Sequence, residues 1–389
     1  MNLENIHQQL QKTIQNKNLN KVLLIPPDAT RPHSGGGLIT NMYYEMLTTQ
    51  GIEVNILPAL GSHAPMTRAE QLSFFGDIPE ECFLTHNWRD GVVILGKVPA
   101  AYVKEISEGL MNEDVSVEVS THLCDSSYDL IISIGQVVPH EVAGMANYTK
   151  NIVVGCGGNQ FISASHMLGA FYGIERILGK IDTPVRKLFD YAEEHFLKKL
   201  PIEYVLTVVD NDEIIGLYTG RKRTIFEQAA ALSQKHNIIY VDKPIQNCVV
   251  HLNEKDFHST WLGNKAIYRT RMAIADGGHL LVLAPGVKTF GEDAENDRLI
   301  RKYGYVGRQQ VLELCKKERE LKNNLSAAAH LIHGSTDGRF TVTYAAPLLG
   351  REAIESVGYQ YMDWQEAIKQ TKNAFYIENP ALGLWQKRI

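Results

Sequence analysis

The feature that most constrains this chain is a recurrence of short apolar runs, rich in leucine and β-branched residues, separated by amphipathic helical stretches. Such runs occur at Lys21–Ile25, Val54–Leu60, Gly91–Leu95, Asp129–Gly135 and Ile152–Gly155. Runs of this length without apolar/polar alternation suit strands buried on both faces, and helices between them cover those faces. The expectation is therefore an α/β fold with a mainly parallel sheet. A first helix is predicted from about Leu3 to Gln15. A second β-rich block starts near Ile202, where YVLTVVD, EIIGLYTG and NIIYVDKP are followed by HLLVLAP; the stretch from Asp293 to His333 reads as almost wholly helical. With 389 residues, 44% of them hydrophobic, the chain exceeds one average core. Two α/β domains are expected, over residues 1–200 and 201–389, with the active site in the cleft between them and the C-terminal tail free to return to the first domain.

Charge narrows the function classes. The net charge of −5 is dispersed rather than blocked, which provides no electrostatic footprint for a nucleic acid backbone or an anionic membrane. No run of eighteen apolar residues is present, and the N-terminal MNLENIHQQLQKTIQNKN lacks the apolar stretch of a secretory signal. A cytoplasmic protein is expected. The five cysteines (Cys82, Cys124, Cys156, Cys248, Cys315) never form a C-x-x-C pair, which argues for reduced thiols rather than a disulfide framework or structural zinc.

Ligands of open α/β sheets collect where strands deliver into loops. After the first strand stand Asp28, Thr30, Arg31 and a glycine triplet, Gly35-Gly36-Gly37. The glycines allow close backbone approach, and Arg31 offers a fork of donors for phosphate or carboxylate. This loop matches neither a Walker A nor a G-x-G-x-x-G pattern. The next loop carries His63, followed by the capping box Thr67-Arg68-Ala69-Glu70. A histidine there suits acid/base work, although a lone loop histidine is more often simply solvated. IISIGQVVPHEVAGMANYTKNIVVGCGG then places His140 and Lys150 near strand ends, where a desolvated amine gains reactivity. His166, inside an apolar helix, reads either as a satisfied core histidine or as a metal ligand.

Taken together, these residues resemble the nickel-dependent lactate racemase family, most strongly from Asp28 to Arg186. D-x-T-R-P appears as Asp28–Pro32, G-x-H-x-P-x-T as Gly61–Thr67, and H-x-x-R-D as His86–Asp90. P-H-x-x-A-G followed by a lysine appears as Pro139 to Lys150, and P-V-R as Pro184–Arg186. The resemblance implies a racemase or epimerase of a 2-hydroxy acid that works by reversible hydride transfer through a 2-keto acid. The implied cofactor is a nickel-pincer nucleotide (pyridinium-3-thioamide-5-thiocarboxylic acid mononucleotide), supplied by cofactor-synthesis enzymes that bind transiently. It assigns the tether to Lys150, the metal to His166, and the paired acid/base roles to His63 and His140. Asp28, Thr30, Arg31 and Lys265 are the implied polar contacts to cofactor or substrate.

Two departures bear on the substrate. Ala146-Asn147-Tyr148-Thr149 stands where the family commonly has glycines before the lysine, and Trp261-Leu262 stands where lactate-acting members tend to carry tyrosine and glutamine. Both point away from lactate and toward another side chain, such as that of a sugar acid. A nicotinamide-dependent dehydrogenase would need a Rossmann fingerprint that the glycine triplet does not provide. A non-catalytic metabolite-binding module would be expected to lack one of His63, His140, Lys150 or His166, and all four are present.

Overall fold

A computed structural model describes residues 1–381 and 383–388. The chain forms two compact units, one made of Met1–Leu168 and Leu178–His236, the other of Gly169–Ile177 and Asn237–Ile389.

The first unit is built on five strands in the order β2-β1-β5-β8-β9. These are β1 (Lys21–Ile25), β2 (Glu53–Ile56), β5 (Leu130–Gln136), β8 (Ile202–Asp210) and β9 (Glu213–Gly220). All neighbours run parallel except β8 and β9, which form an antiparallel hairpin. Val22, Leu24, Ile132, Ile134 and Val205 pack one face against Leu10 of α1 (Leu3–Ile14) and Ile39, Tyr43 and Leu47 of α2 (Gly36–Thr48). Each such side chain removed from water contributes about 1.5–3 kcal/mol, which explains why the apolar runs became the sheet. Helix α3 (Arg68–Phe75) starts with the expected capping box: the Thr67 side chain accepts from Glu70 N while the Glu70 carboxylate accepts from Thr67 N.

Several expectations change here. The division falls after His236 rather than near residue 200, because β8 and β9 complete the first sheet. The run around Gly91–Leu95 becomes β3 (Val92–Val98), which pairs antiparallel with β4 (Val115–Ser120) outside the main sheet and leaves Val93 and Ile94 exposed. Ile152–Gly155, read as a strand, coils into a π-helical turn over Asn151–Gly155. The buried Asn151 amide donates to Ile25 O (3.1 Å), Ser133 Oγ (3.0 Å) and Ile134 O (3.4 Å), so the turn is tied across the ends of β1 and β5. Such long-range bonds override a local β preference. Asn151→Ala is expected to lower stability by roughly 1–3 kcal/mol, since it removes a buried donor from three acceptors. The urea midpoint reads this directly, and an unchanged midpoint would contradict the tie.

The glycine triplet also serves packing. A Cβ on Gly37 would lie 1.9 Å from Phe74 O, and one on Gly36 would lie 2.6 Å from the Pro27 ring. These two positions let α2 sit close against α3 and against the loop after β1.

In the same unit, β6 (Pro139–His140) and β7 (Gly144–Met145) form a minimal hairpin. Helix α4 (Ala100–Ile106) flanks the β3–β4 ribbon, and α5 (Asn159–Tyr172) carries the chain from the first unit into the second. Helices α6 (Pro184–Ala192) and α7 (Arg223–Asn237) follow.

The second unit has an all-parallel sheet, β14-β13-β12-β11-β15. Its strands are β11 (Ile245–His251), β12 (Ile274–Leu283), β13 (Thr341–Ala345), β14 (Gln360–Tyr361) and β15 (Phe375–Ile377). A parallel pair, β10 (Ile238–Val241) and β16 (Leu384–Lys387), keeps the C-terminal strands in this unit rather than returning them to the first. Four helices within Ala294–His333 bear out the helical reading of that stretch. Among the described residues no helix is long and apolar enough to cross a membrane.

Candidate active site

The loop after β1 turns at Asp28, whose Oδ1 accepts from Thr30 N (3.1 Å) and Thr30 Oγ1 (2.5 Å). Thr30 therefore shapes the loop through Asp28. The other carboxylate oxygen lies 2.6 Å from His63 Nδ1. Burial alone would raise the Asp28 carboxyl, but the hydrogen bond and charge of His63, the Thr30 hydroxyl and the Arg31 guanidinium outweigh it and hold the group below the usual carboxylate range. Asp28 is thus an ionised acceptor, and the His63 ring proton sits on Nδ1. The His63 loop is itself pinned, with Gly61 N donating to Gly155 O at 2.8 Å and His63 N to Leu60 O at 2.9 Å.

His140 is nearly enclosed and sits at the β6–β7 turn. That turn folds Val142 N (3.1 Å) and Ala143 N (3.3 Å) onto its Nδ1. Burial pushes the ring well below the ordinary histidine value, opposed by Glu141 and reinforced by Lys150, Arg31 and His166.

Lys150 caps the π-helical turn. Burial, then the positive charge of Arg31, lowers its ammonium to about 7, with Glu141 and Asp28 opposing and Arg186 adding to the fall. A large share of this amine is therefore free base near neutrality. The backbone before it is strained in the way glycines would relieve: Asn147 and Tyr148 have φ of 63° and 59°. Tyr148 is held there by its buried ring, which stacks on Phe226 (5.4 Å) and donates its hydroxyl to Arg221 O at 2.7 Å. The bulk of this segment is thus taken up by packing.

His166 lies on α5, and its Nδ1 is 2.7 Å from Ile162 O. A carbonyl only accepts, so Nδ1 carries the proton and Nε2 keeps its lone pair. Burial holds this ring below the ordinary histidine value.

These side chains share one electrostatic neighbourhood in the first unit. His140 is influenced by Lys150, Arg31 and His166; Lys150 by Arg31, Glu141, Arg186 and Asp28; and Asp28 by His63 and Arg31. The motifs give Arg186 no role and do not mark Asp28 as a partner for His63. Arg186 is fully buried, donates Nη2 to Met145 O (2.7 Å) and Asn147 O (3.3 Å), and lies over the Phe226 ring at 4.2 Å. It holds the strained segment from beneath. No local signal marks either role, since each depends on partners distant in sequence.

Lys265 belongs to the second unit. It opens α9 (Lys265–Tyr268), directly after α8 (Thr260–Gly263) and Asn264. Its ammonium stands 5.8 Å from the Phe257 ring centre. The segment is braced from below: Tyr344 donates to Asn264 Oδ1 at 2.8 Å, and Trp261 stacks on His330 at 4.3 Å.

The first unit thus gathers a buried amine and three imidazoles whose Nδ1 atoms face a carboxylate, two backbone N–H groups and a backbone carbonyl. Residues 2–175 match the lactate racemase N-terminal domain. A lactate racemase from Thermoanaerobacterium thermosaccharolyticum is 25% identical over 207 residues, 51% of this chain and 44% of that protein. The crystal structure of a Thermotoga maritima protein superposes with a TM-score of 0.87 at 24% identity, over 100% of this chain and 99% of that one. The lactate racemase apoprotein structure from T. thermosaccharolyticum superposes with a TM-score of 0.76 at 17% identity, over 99% and 93%. The N-terminal part of the chain is thus similar to the N-terminal domain of lactate racemases, and the whole chain shares their fold.

Proposed function

We propose that this protein is an isomerase that inverts C2 of a small 2-hydroxy acid by temporary oxidation to the 2-keto acid. The observation that supports the reading is the Lys150 amine, lowered to about 7, in an electrostatic neighbourhood it shares with His140, His166 and Asp28, with His63 bonded to Asp28. Racemisation at such a carbon needs a hydride acceptor, because its C–H bond is too weakly acidic for histidine. The nickel-pincer nucleotide of the related racemases, when bound, supplies that acceptor.

The residues present fit such a group. His166, with its proton on Nδ1 facing Ile162 O, offers its Nε2 lone pair as a single donor to a metal that would bring further ligands of its own. Lys150 would carry the nucleotide through an amide-type bond, and His166 would complete the metal's coordination through Nε2. Arg31 would meet an anionic group of cofactor or substrate, with Lys265 in the same class of role, and His63 and His140 would handle the hydroxyl proton. The substrate class is a 2-hydroxy acid with a side chain other than methyl, an aldonic acid among them, because Trp261 and Leu262 replace the residues tied to lactate by the resemblance.

Co-expression with the cofactor-building enzymes, followed by intact-mass and nickel analysis, tests the reading. A mass increase on the Lys150 peptide, about one nickel per chain, and racemisation within a panel of lactate, malate, aromatic hydroxy acids and aldonic acids are expected. A loaded protein inert toward the whole panel would overturn the activity, and activity confined to lactate would overturn the substrate class. His166→Ala is expected to keep the adduct while losing most of the nickel.

A further inference from the structure

The His86–Asp90 motif and the buried carboxylate of Glu118 both close on the segment that joins Lys150 to His166. His86 is 3% exposed, and its Nε2 lies 2.9 Å from Gly157 O; a carbonyl only accepts, so this nitrogen carries the proton and donates. In the same motif, Trp88 O accepts from Asn159 N at 3.2 Å. From β4, Ser120 N donates to Cys156 O (2.7 Å), Glu118 O accepts from Gly158 N (3.3 Å), and the Glu118 carboxylate accepts from Gln160 N (2.9 Å). That carboxylate meets the first turn of α5, where the helix dipole favours negative charge. The junction is too tight for side chains: a Cβ on Gly157 would lie 1.9 Å from Val153 O, and one on Gly158 2.3 Å from Glu118 Oε2.

From this junction the bonds continue to the imidazole. Gly158 O accepts from Ile162 N at 3.0 Å, and Ile162 O in turn lies 2.7 Å from His166 Nδ1. Residues 158, 162 and 166 are spaced by four and share one helix face. The ring that leaves Nε2 open is thus oriented from the start of α5. The Lys150 turn has a different support, since Asn151 ties it to Ile25, Ser133 and Ile134 of the main sheet.

We propose that His86 and Glu118 are positioning residues for His166: they clasp residues 156–160 against β4 and the motif loop, and so set where Nε2 of His166 stands relative to the Lys150 amine. What that nitrogen would hold rests on the racemase reading above; the clasp itself does not. Residues that touch no metal but fix the ring of a ligand are worth about 10–100-fold in metal affinity.

Protein without cofactor tests the clasp directly. In Glu118→Ala, the Gln160 amide and the His166 Nδ1–H, the latter assigned by the signal lost in His166→Ala, should exchange with water about 10-fold faster than in wild type. The Cys156 amide, bonded within the π-helical turn, and the rate at which an acylating reagent labels Lys150 should stay at wild-type values. Glu118→Gln, whose side-chain oxygen still accepts from Gln160 N, should restore slow exchange. His86→Phe, which fills the same space without a donor, should act in the direction of Glu118→Ala. In loaded protein, Glu118→Ala should keep the Lys150 adduct by intact mass and bind nickel about 10-fold or more weakly against a competing chelator. Wild-type exchange at His166 in Glu118→Ala would overturn the proposal, as would equal loosening of Lys150 and Cys156 or loss of the adduct along with the nickel. If loaded wild-type protein carried neither adduct nor nickel, the functional reading would fail while the exchange rates still decided the clasp.

Discussion

Lys150→Met is expected to yield a folded protein that acquires no covalent nucleotide, shows no racemisation above the uncatalysed rate, and is more stable than the parent at neutral pH. The first two outcomes follow from removing the attachment point. The third follows from the lowered amine. Its folded value of about 7 lies below the ordinary 10.5, so between those values the unfolded chain binds the extra proton and the folded chain does not. Stability therefore rises with pH through that window, and near pH 7 the lysine costs stability on the order of 2–4 kcal/mol. A methionine of similar length and no charge removes the cost. Denaturant midpoints of the parent and Lys150→Met at pH 7 and pH 9.5 check this: the gap should be large at the lower pH and narrow at the higher. The same physics makes Lys150 selectively reactive, because at pH 8 about nine-tenths of an amine with a value of 7 is free base against well under ~1% for an ordinary lysine. Trace labelling with an acylating reagent at pH 8, read by peptide mass spectrometry, should mark Lys150 first. Labelling no faster than surface lysines would contradict the environment described.

Asp28→Asn is the second large effect. The carboxylate fixes the proton on Nδ1 of His63 and would stabilise the imidazolium formed when Nε2 takes a proton. An asparagine amide keeps the shape but presents a neutral group that bonds either ring state. Loss of orientation and charge at a comparable carboxylate–histidine pair reduces turnover by about 10⁴, and a loss of 10²–10⁴ in kcat is expected here. The change should fall on kcat rather than on nickel content or the Lys150 adduct, which separates proton handling from cofactor binding. Undiminished kcat in Asp28→Asn would show that His63 needs no partner.

The α/β alternation was legible because it is a local property: apolar runs such as KVLLI and LIISIGQ mark buried strands whatever surrounds them. The failures lie where a distant partner decides. Ile152–Gly155 has strand composition, yet Asn151 ties it to Ile25, Ser133 and Ile134 and it coils. EIIGLYTG was placed in the second domain, but its strand pairs with β8 and completes the first sheet. In the glycine triplet, Gly37 is closed by Phe74 O and Gly36 by the Pro27 ring, contacts that no local pattern announces.

Residue types and their order, namely Asp28, Arg31, His63, His140, Lys150 and His166 on loops or in an apolar helix, are read from the chain alone, because side-chain chemistry is carried by the residue itself. Which nitrogen of each imidazole holds a proton, that Asp28 serves His63 across 35 positions, and how far the Lys150 amine is shifted were decided only by the tertiary structure. A histidine's state is set by whether its neighbour donates or accepts, and a lysine's by the water and charge around it; both depend on atoms that folding, not sequence proximity, brings together.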